Sequence, residues 1–131
     1  MEAQRTGWLP DFENQIFYKA RVIFGNGKII SVIPLSESSP ETPLPSSDLP
    51  LILPGLVDAH VHIESSLMVP TRFAHQAMRF GTVAVVADPH EIANVLGLEG
   101  IRFMLEEAGK TSMKIRFTAP SCVPATSLET S

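Results

Sequence analysis

A single cysteine, Cys122, is all the chain holds, so an internal disulfide is excluded. No apolar run approaches the roughly 18 residues that a membrane-crossing helix needs, and a membrane role is not expected. Basic residues are in the minority. With 10 Lys+Arg against 14 Asp+Glu the formal net charge is -4, which excludes a broad polyanion-binding surface and makes nucleic acid an unexpected partner. The start Met1-Glu2-Ala3-Gln4-Arg5 lacks the basic stretch and apolar core of a secretory signal, so the cytoplasm is the expected compartment. Cys122 reads either as a reactive nucleophile or, more simply, as a small inert thiol.

The chain divides by composition near residue 50. In residues 1–50, Gln15 to Phe24 and Lys28 to Ile33 are rich in β-branched and aromatic residues, and Gly25-Asn26-Gly27 lies between them. This pattern predicts a β-hairpin with a tight turn. Gly25-Asn26-Gly27 is not a phosphate loop, because no helix start and no lysine-serine pair follow it. Residues 34–50 are Ser/Pro-rich and predict a solvated linker or extended surface loop.

From Leu51 the rhythm is β then α, which assigns 51–131 to a second region of α/β class. Pro70-Thr71 offers a helix start, Phe73, Ala77 and Phe80 recur near helical spacing, and Gly81 sits where the helix would stop. Thr82 to Ala87 predicts a parallel strand covered on both faces. A second helix is expected from about Leu98 to Ala108, with Ile101, Met104 and Leu105 buried and Gly109 as terminator. Lys114 to Ala119 completes a third strand.

Chemistry gathers at the ends of these strands. The run Pro54-Gly55-Leu56-Val57-Asp58-Ala59-His60-Val61-His62-Ile63-Glu64 closes on two histidines one residue apart. Strand side chains alternate faces, so His60 and His62 share one face and two imidazoles can converge on a divalent ion. The plainer alternative is a pair of ordinary surface or core histidines. Asp88-Pro89-His90-Glu91 follows the next strand at the same end of the sheet, which in parallel β/α architectures is the functional end. Here too there is a plain reading, with Asp88 capping the following turn and Glu91 solvated. Three roles stay open for His90: binding substrate, orienting a metal-activated water, or supporting a ligand from outside. His75, inside the first helix, is assigned no role.

Two near matches fail. His90-Glu91-Ile92-Ala93-Asn94 departs from the His-Glu-x-x-His zinc helix at Asn94. His62-Ile63-Glu64 with Pro120-Ser121-Cys122 departs from the zinc nucleoside deaminase pattern for want of a second cysteine.

The segment from Pro54 to His62 resembles the first barrel strand of the amidohydrolase superfamily. Ile63-Glu64-Ser65-Ser66, Ala87 to Gly100 and Ala119 to Thr126 together resemble three ordered blocks of its adenine deaminase family. The resemblance runs from about residue 15 to residue 131 and corresponds to the N-terminal part of the family's usual length. It implies a small β-sandwich element followed by a TIM-like (β/α)8 barrel. It also implies metal-dependent hydrolysis of adenine to hypoxanthine and ammonia in purine salvage, and a homo-oligomer. On this reading His60 and His62 are metal ligands for Mn2+ or Fe2+, with Zn2+ compatible. Glu64, His90 and Glu91 are candidate catalytic groups, and Asp88 is a candidate substrate-binding group.

A (β/α)8 barrel takes about 250 residues, and residues 51–131 suffice for about three βα units. The expected object is therefore an incomplete barrel, an N-terminal fragment inactive alone. The competing expectations are a non-catalytic α/β module that self-associates through open strand edges, and a different amidohydrolase acting on a cyclic amide. The block from Asp88 to Gly100 argues against the last.

Overall fold

The structure, a computed structural model, describes residues 1–35, 45–46, 48–120 and 123–124. Cys122 lies outside the described residues, as does most of the Ser/Pro-rich stretch. The chain forms two units, Met1–Pro54 and Gly55–Ser131, each with its own three-stranded sheet.

The first unit is an antiparallel meander of β1 (Glu2–Asp11), β2 (Ile16–Gly25) and β3 (Lys28–Pro34). The predicted hairpin is β2–β3. Asn26 and Gly27 turn with φ of 52° and 74°, the left-handed pair that a two-residue turn between twisted strands requires. β1 is a strand that the hairpin reading did not include, and it supplies the hairpin with a partner from Glu2↔Gly25 to Asp11↔Ile16. Its charges, Gly7 and Pro10 conceal it, because no alternating apolar pattern marks a strand whose burial is concentrated at one point. That point is Trp8, 3% exposed, packed in the unit that also buries Ala20 and Val22. The outer edge of β1 is closed by the chain returning alongside it: Trp8 N–H donates to Pro50 O at 2.9 Å, and Ile52 N–H donates to Trp8 O at 2.8 Å. The end of the expected linker thus acts as edge cover, blocking unpaired backbone groups.

Around Trp8 the polar contacts are saturated. Asp48 Oδ1 accepts from Trp8 Nε1 at 3.3 Å and from Ser46 Oγ, and Asp48 Oδ2 accepts from Lys19 Nζ at 2.8 Å. Lys19 also lies over the indole, 4.8 Å from its centroid. The Lys19 ammonium, then the Ser46 hydroxyl, hold the Asp48 carboxyl well below the ordinary carboxylate range.

The second unit runs β4 (Leu56–Val61), a 3-10 turn (Glu64–Ser66), α1 (Pro70–Met78), β5 (Thr82–Ala87), α2 (His90–Ala108) and β6 (Lys114–Phe117). Its strands are parallel in the order β4-β5-β6, as strand–helix–strand crossovers require. Pro70 at the first helical turn of α1 meets the structure as expected, since its missing N–H has no partner to lose there. Two apolar clusters hold the unit together. Ile63, Ala87 and Met104 form one, and Ala74, Val85 and Met113 the other, bridged by Val61, Phe73 and Ile115.

Five expectations are corrected. Helix α2 starts at His90, not near Leu98, and is broken at Gly97, whose φ of 56° and ψ of -142° are open to glycine and costly for other residues. After Gly97, Met104 is buried and Ile101 half-buried as expected, but Leu105, one residue further round the helix than Met104, is 52% exposed. Phe80 falls past the end of α1 and is exposed. β5 is covered unequally: Val85 and Ala87 are buried beneath the helices, whereas Val83 is 46% exposed. β6 ends at Phe117, where Thr118 N–H still donates to Ala87 O at 2.9 Å.

Candidate functional site

The C-terminal ends of β4 and β5 meet because the two strands are parallel neighbours, with Val61 registered on Ala87. Asp88 N–H then donates to Val61 O at 3.0 Å, which draws the chain after β5 across the end of β4. His60 and His62 therefore face the turn carrying Asp88, His90 and Glu91. All six residues proposed from the sequence lie in this neighbourhood, linked by named contacts.

The imidazoles stack edge to face in a row. His60 and His62 have centroids 4.9 Å apart and interplanar angle 82°; His62 and His90 have 4.7 Å and 82°. His60 Nε2 and His62 Nε2 approach to 3.2 Å. His62 Nδ1 lies 3.0 Å from the carbonyl oxygen of Asp88, an acceptor only, so His62 carries its proton on Nδ1 and keeps a lone pair on Nε2. His90 Nδ1 lies 3.4 Å from Asp88 Oδ2. Asp88 thus engages two histidines, one through its main chain and one through its side chain.

The carboxylates are tied from the other side. Glu64 Oε1 accepts the backbone N–H of Ile92 at 3.3 Å, and Ser65 Oγ donates to Glu91 Oε1 at 2.5 Å. Pro89 stands at the N-cap of α2 and offers no side-chain cap, so Asp88 does not cap the helix. Glu64, from the loop after β4, does that work from a distance, and its charge suits the positive end of the helix dipole by about 0.3–1 kcal/mol. Glu91 is half-buried, not freely solvated, and His75 is exposed on α1.

Some polar atoms remain without protein partners. Among the described residues, Glu64 Oε2, Asp88 Oδ1 and His90 Nδ1 are buried without a hydrogen-bond partner. A buried carboxylate oxygen with no donor costs about 1–3 kcal/mol or more, a cost that a cation beside it removes. Meanwhile one ligand atom from each of His62, His90 and Glu91 lies within 4.8 Å of the others. Nitrogen and oxygen donors, surplus negative charge and unpartnered buried oxygens fit a divalent first-row ion.

The sequence signals found this cluster but missed Ser65, the partner of Glu91, and the Asp88 carbonyl, the partner of His62. The second has no sequence signal, since any residue supplies a carbonyl. Pro120 follows β6 within the described residues, while Ser121 and Cys122 lie outside them.

Comparison with known proteins matches the amidohydrolase family over residues 51–131. Among individual relatives, the adenine deaminase of Methanosarcina mazei is 54% identical over 125 residues, covering 95% of this chain and 21% of that protein. That of Methanosphaera stadtmanae is 60% identical over 81 residues, 62% of this chain and 15% of the relative. That of Borreliella afzelii is 46% identical over 117 residues, 89% and 20%. The chain spans about a fifth of the length of the relatives matched over most of it. Members of this family generally bind a divalent metal. The family pattern reaches from the edge cover of β1 through both histidine-bearing strand ends, and this chain belongs to the amidohydrolase family.

Proposed function

We propose that the chain forms the N-terminal part of a metal-dependent adenine deaminase, which converts adenine and water to hypoxanthine and ammonia. Its parallel sheet corresponds on this reading to the first three strands of a (β/α)8 barrel completed by residues outside this chain. The observation that carries the proposal is the pairing of His60 and His62: their Nε2 atoms stand 3.2 Å apart, with the His62 tautomer set by the Asp88 carbonyl. The adenine deaminases that match the chain at 46–60% identity support the choice of substrate.

His60 and His62 would hold the ion, with manganese or iron preferred and zinc compatible. When bound, the ion supplies Lewis acidity that makes water a nucleophile near neutral pH. The chain's own groups do the remaining work. His62 is held in one tautomer. Glu64, His90 and Glu91 are the titratable groups that move a proton toward the departing amine. Asp88 Oδ1, buried and unpartnered, is left as an acceptor for an exocyclic N–H of the substrate. The buried Ile63 between His62 and Glu64 anchors the loop that carries them into the core.

The test replaces the matching segment of the Methanosarcina mazei enzyme with this chain and measures ammonia release from adenine together with bound metal. His60→Ala and His62→Ala are each expected to lower both by orders of magnitude, and His75→Ala neither. Full metal content and activity in all three variants would refute the ligand assignment.

A second reading is a non-catalytic module that self-associates. Its supporting observation is the apolar surface left exposed on the strands, Leu56 and Val57 on β4 and Ile29 and Ile30 on β3. Sedimentation of the 131-residue chain distinguishes it: a dimer or larger species favours this reading, and a compact monomer removes its basis.

A further inference from the structure

We infer that Leu67 is an apolar contact for the base of the substrate, set at the rim of the histidine and carboxylate cluster. This rests on the reading of the chain as part of an adenine deaminase. The turn that leads to Leu67 is fastened to the site. Glu64 Oε1 accepts the Ile92 N–H at 3.3 Å and Ser65 Oγ donates to Glu91 Oε1 at 2.5 Å, so the turn Glu64–Ser66 lies against the start of α2. Ser66 is tied to the Ile63 carbonyl through its N–H at 3.0 Å and its Oγ at 2.6 Å, and the Leu67 N–H donates to Glu64 O at 2.9 Å. Leu67 thus stands two residues beyond the partner of Glu91, on backbone with little freedom to shift.

Two features of Leu67 cost free energy and are offset by nothing among the described residues. Its φ of 60° and ψ of 23° are left-handed, which brings Cβ close to the following carbonyl oxygen. At the end of a helical turn glycine or asparagine takes that conformation far more readily. The other non-glycine residues with positive φ among those described, Gln15 and Asn26, are polar and sit in the two hairpin turns of the first unit. Leu67 is also 96% exposed, and no large apolar residue after Met1 is more exposed among those described. Strained backbone that presents an uncovered apolar side chain beside a cluster of chemical groups is the mark of a residue kept for what it will touch.

The neighbourhood says what that is. The cluster offers imidazoles and carboxylates, and the apolar Ile63 among them is wholly buried. A purine base has polar edges and flat apolar faces. Carboxylate oxygens such as Asp88 Oδ1 suit an edge, but a face needs apolar surface, which sites for small molecules ordinarily supply. Leu67 is the first exposed apolar side chain after the loop that carries the cluster, and the one whose backbone is held in place beside it.

The experiment uses the complete Methanosarcina mazei enzyme carrying this chain in place of its matching segment, loaded with Mn2+, and follows ammonia release over a range of adenine concentrations. Leu67→Asn suits the left-handed backbone and removes the apolar surface. It is expected to raise KM for adenine roughly 10-fold or more, while kcat, bound metal and Tm stay near the parent's. Leu67→Met, apolar and of similar volume, is expected to keep KM near the parent's. Leu67→Ala takes the place of Leu67→Asn should the latter fail to fold. A parent-like KM in the polar variant overturns the inference and leaves the deaminase reading intact. A lowered Tm with KM unchanged also overturns it, and assigns Leu67 to packing against the remainder of the enzyme. A parent protein that holds metal yet releases no ammonia from adenine removes the deaminase reading, and the inference with it.

Discussion

Asp48 in the first unit and Asp88 in the second are both carboxylates set against a positively charged or titratable neighbour, yet they end differently. Each oxygen of Asp48 has its donors, from Trp8, Ser46 and Lys19, and the group fastens the returning chain to β1. Among the described residues, Asp88 leaves Oδ1 buried and unpartnered, as Glu64 leaves Oε2. A protein that satisfies one carboxylate fully at an exposed seam and leaves two incomplete at the end of a parallel sheet has spent the first on structure. On the proposed reading, the second pair is held open for something that brings positive charge or donors.

That contrast is open to test at several levels of effect. The largest concerns the core that supports the incomplete cluster. Met104 is 2% exposed and packs with Ile63, in the loop after β4, and Ala87, at the end of β5. Met104→Ala is expected to lower the unfolding free energy of the second unit by about 2–5 kcal/mol, read by urea denaturation. A loss below about 1 kcal/mol would mean that the cluster does not lean on this core.

The next is chemical. Asp88→Asn keeps the carbonyl that holds His62 but removes the charge facing His90. It is expected to weaken divalent metal binding roughly 10- to 100-fold, about 1.4–2.7 kcal/mol, while Asp48→Asn leaves it unchanged. Equal effects from the two would erase the distinction between a saturated and an open carboxylate.

The smallest concerns acid. Folding lowers the Asp48 pKa below its ordinary 3.8, chiefly through Lys19, so the stability this carboxylate contributes is fully present above 3.8. It is lost as pH falls from there through the folded value. Asp48→Asn is therefore expected to flatten the acid limb of the first unit's stability curve, with little effect at neutral pH beyond a loss that salt screens. An unchanged acid limb would show that the Lys19–Asp48 contact is idle in solution.

Much of the site was legible because it rests on short-range rules. Alternation predicted His60 and His62 on one face of a strand, although β4 ends at Val61 and His62 follows it, and the β-then-α rhythm put Asp88, His90 and Glu91 at the same end of the sheet. The beginning of α2 was not legible. Pro89 reads as a break, and the residue that caps the helix, Glu64, lies 28 positions earlier in the chain. β1 escaped for a related reason: its edge is closed by Pro50 and Ile52, partners that no local pattern announces.

By itself, then, the sequence determined the parallel α/β character of residues 56–117, the tight turn at Asn26-Gly27 and the set of side chains available for chemistry, since periodicity and turn chemistry act over a few residues. Only the tertiary structure decided which tautomer His62 holds, that Asp88 serves two histidines, and that Ser65 and Glu64 tie down the loop. Those outcomes depend on backbone carbonyls and buried hydrogen bonds between residues more than twenty positions apart, which exist only once β4 and β5 lie side by side.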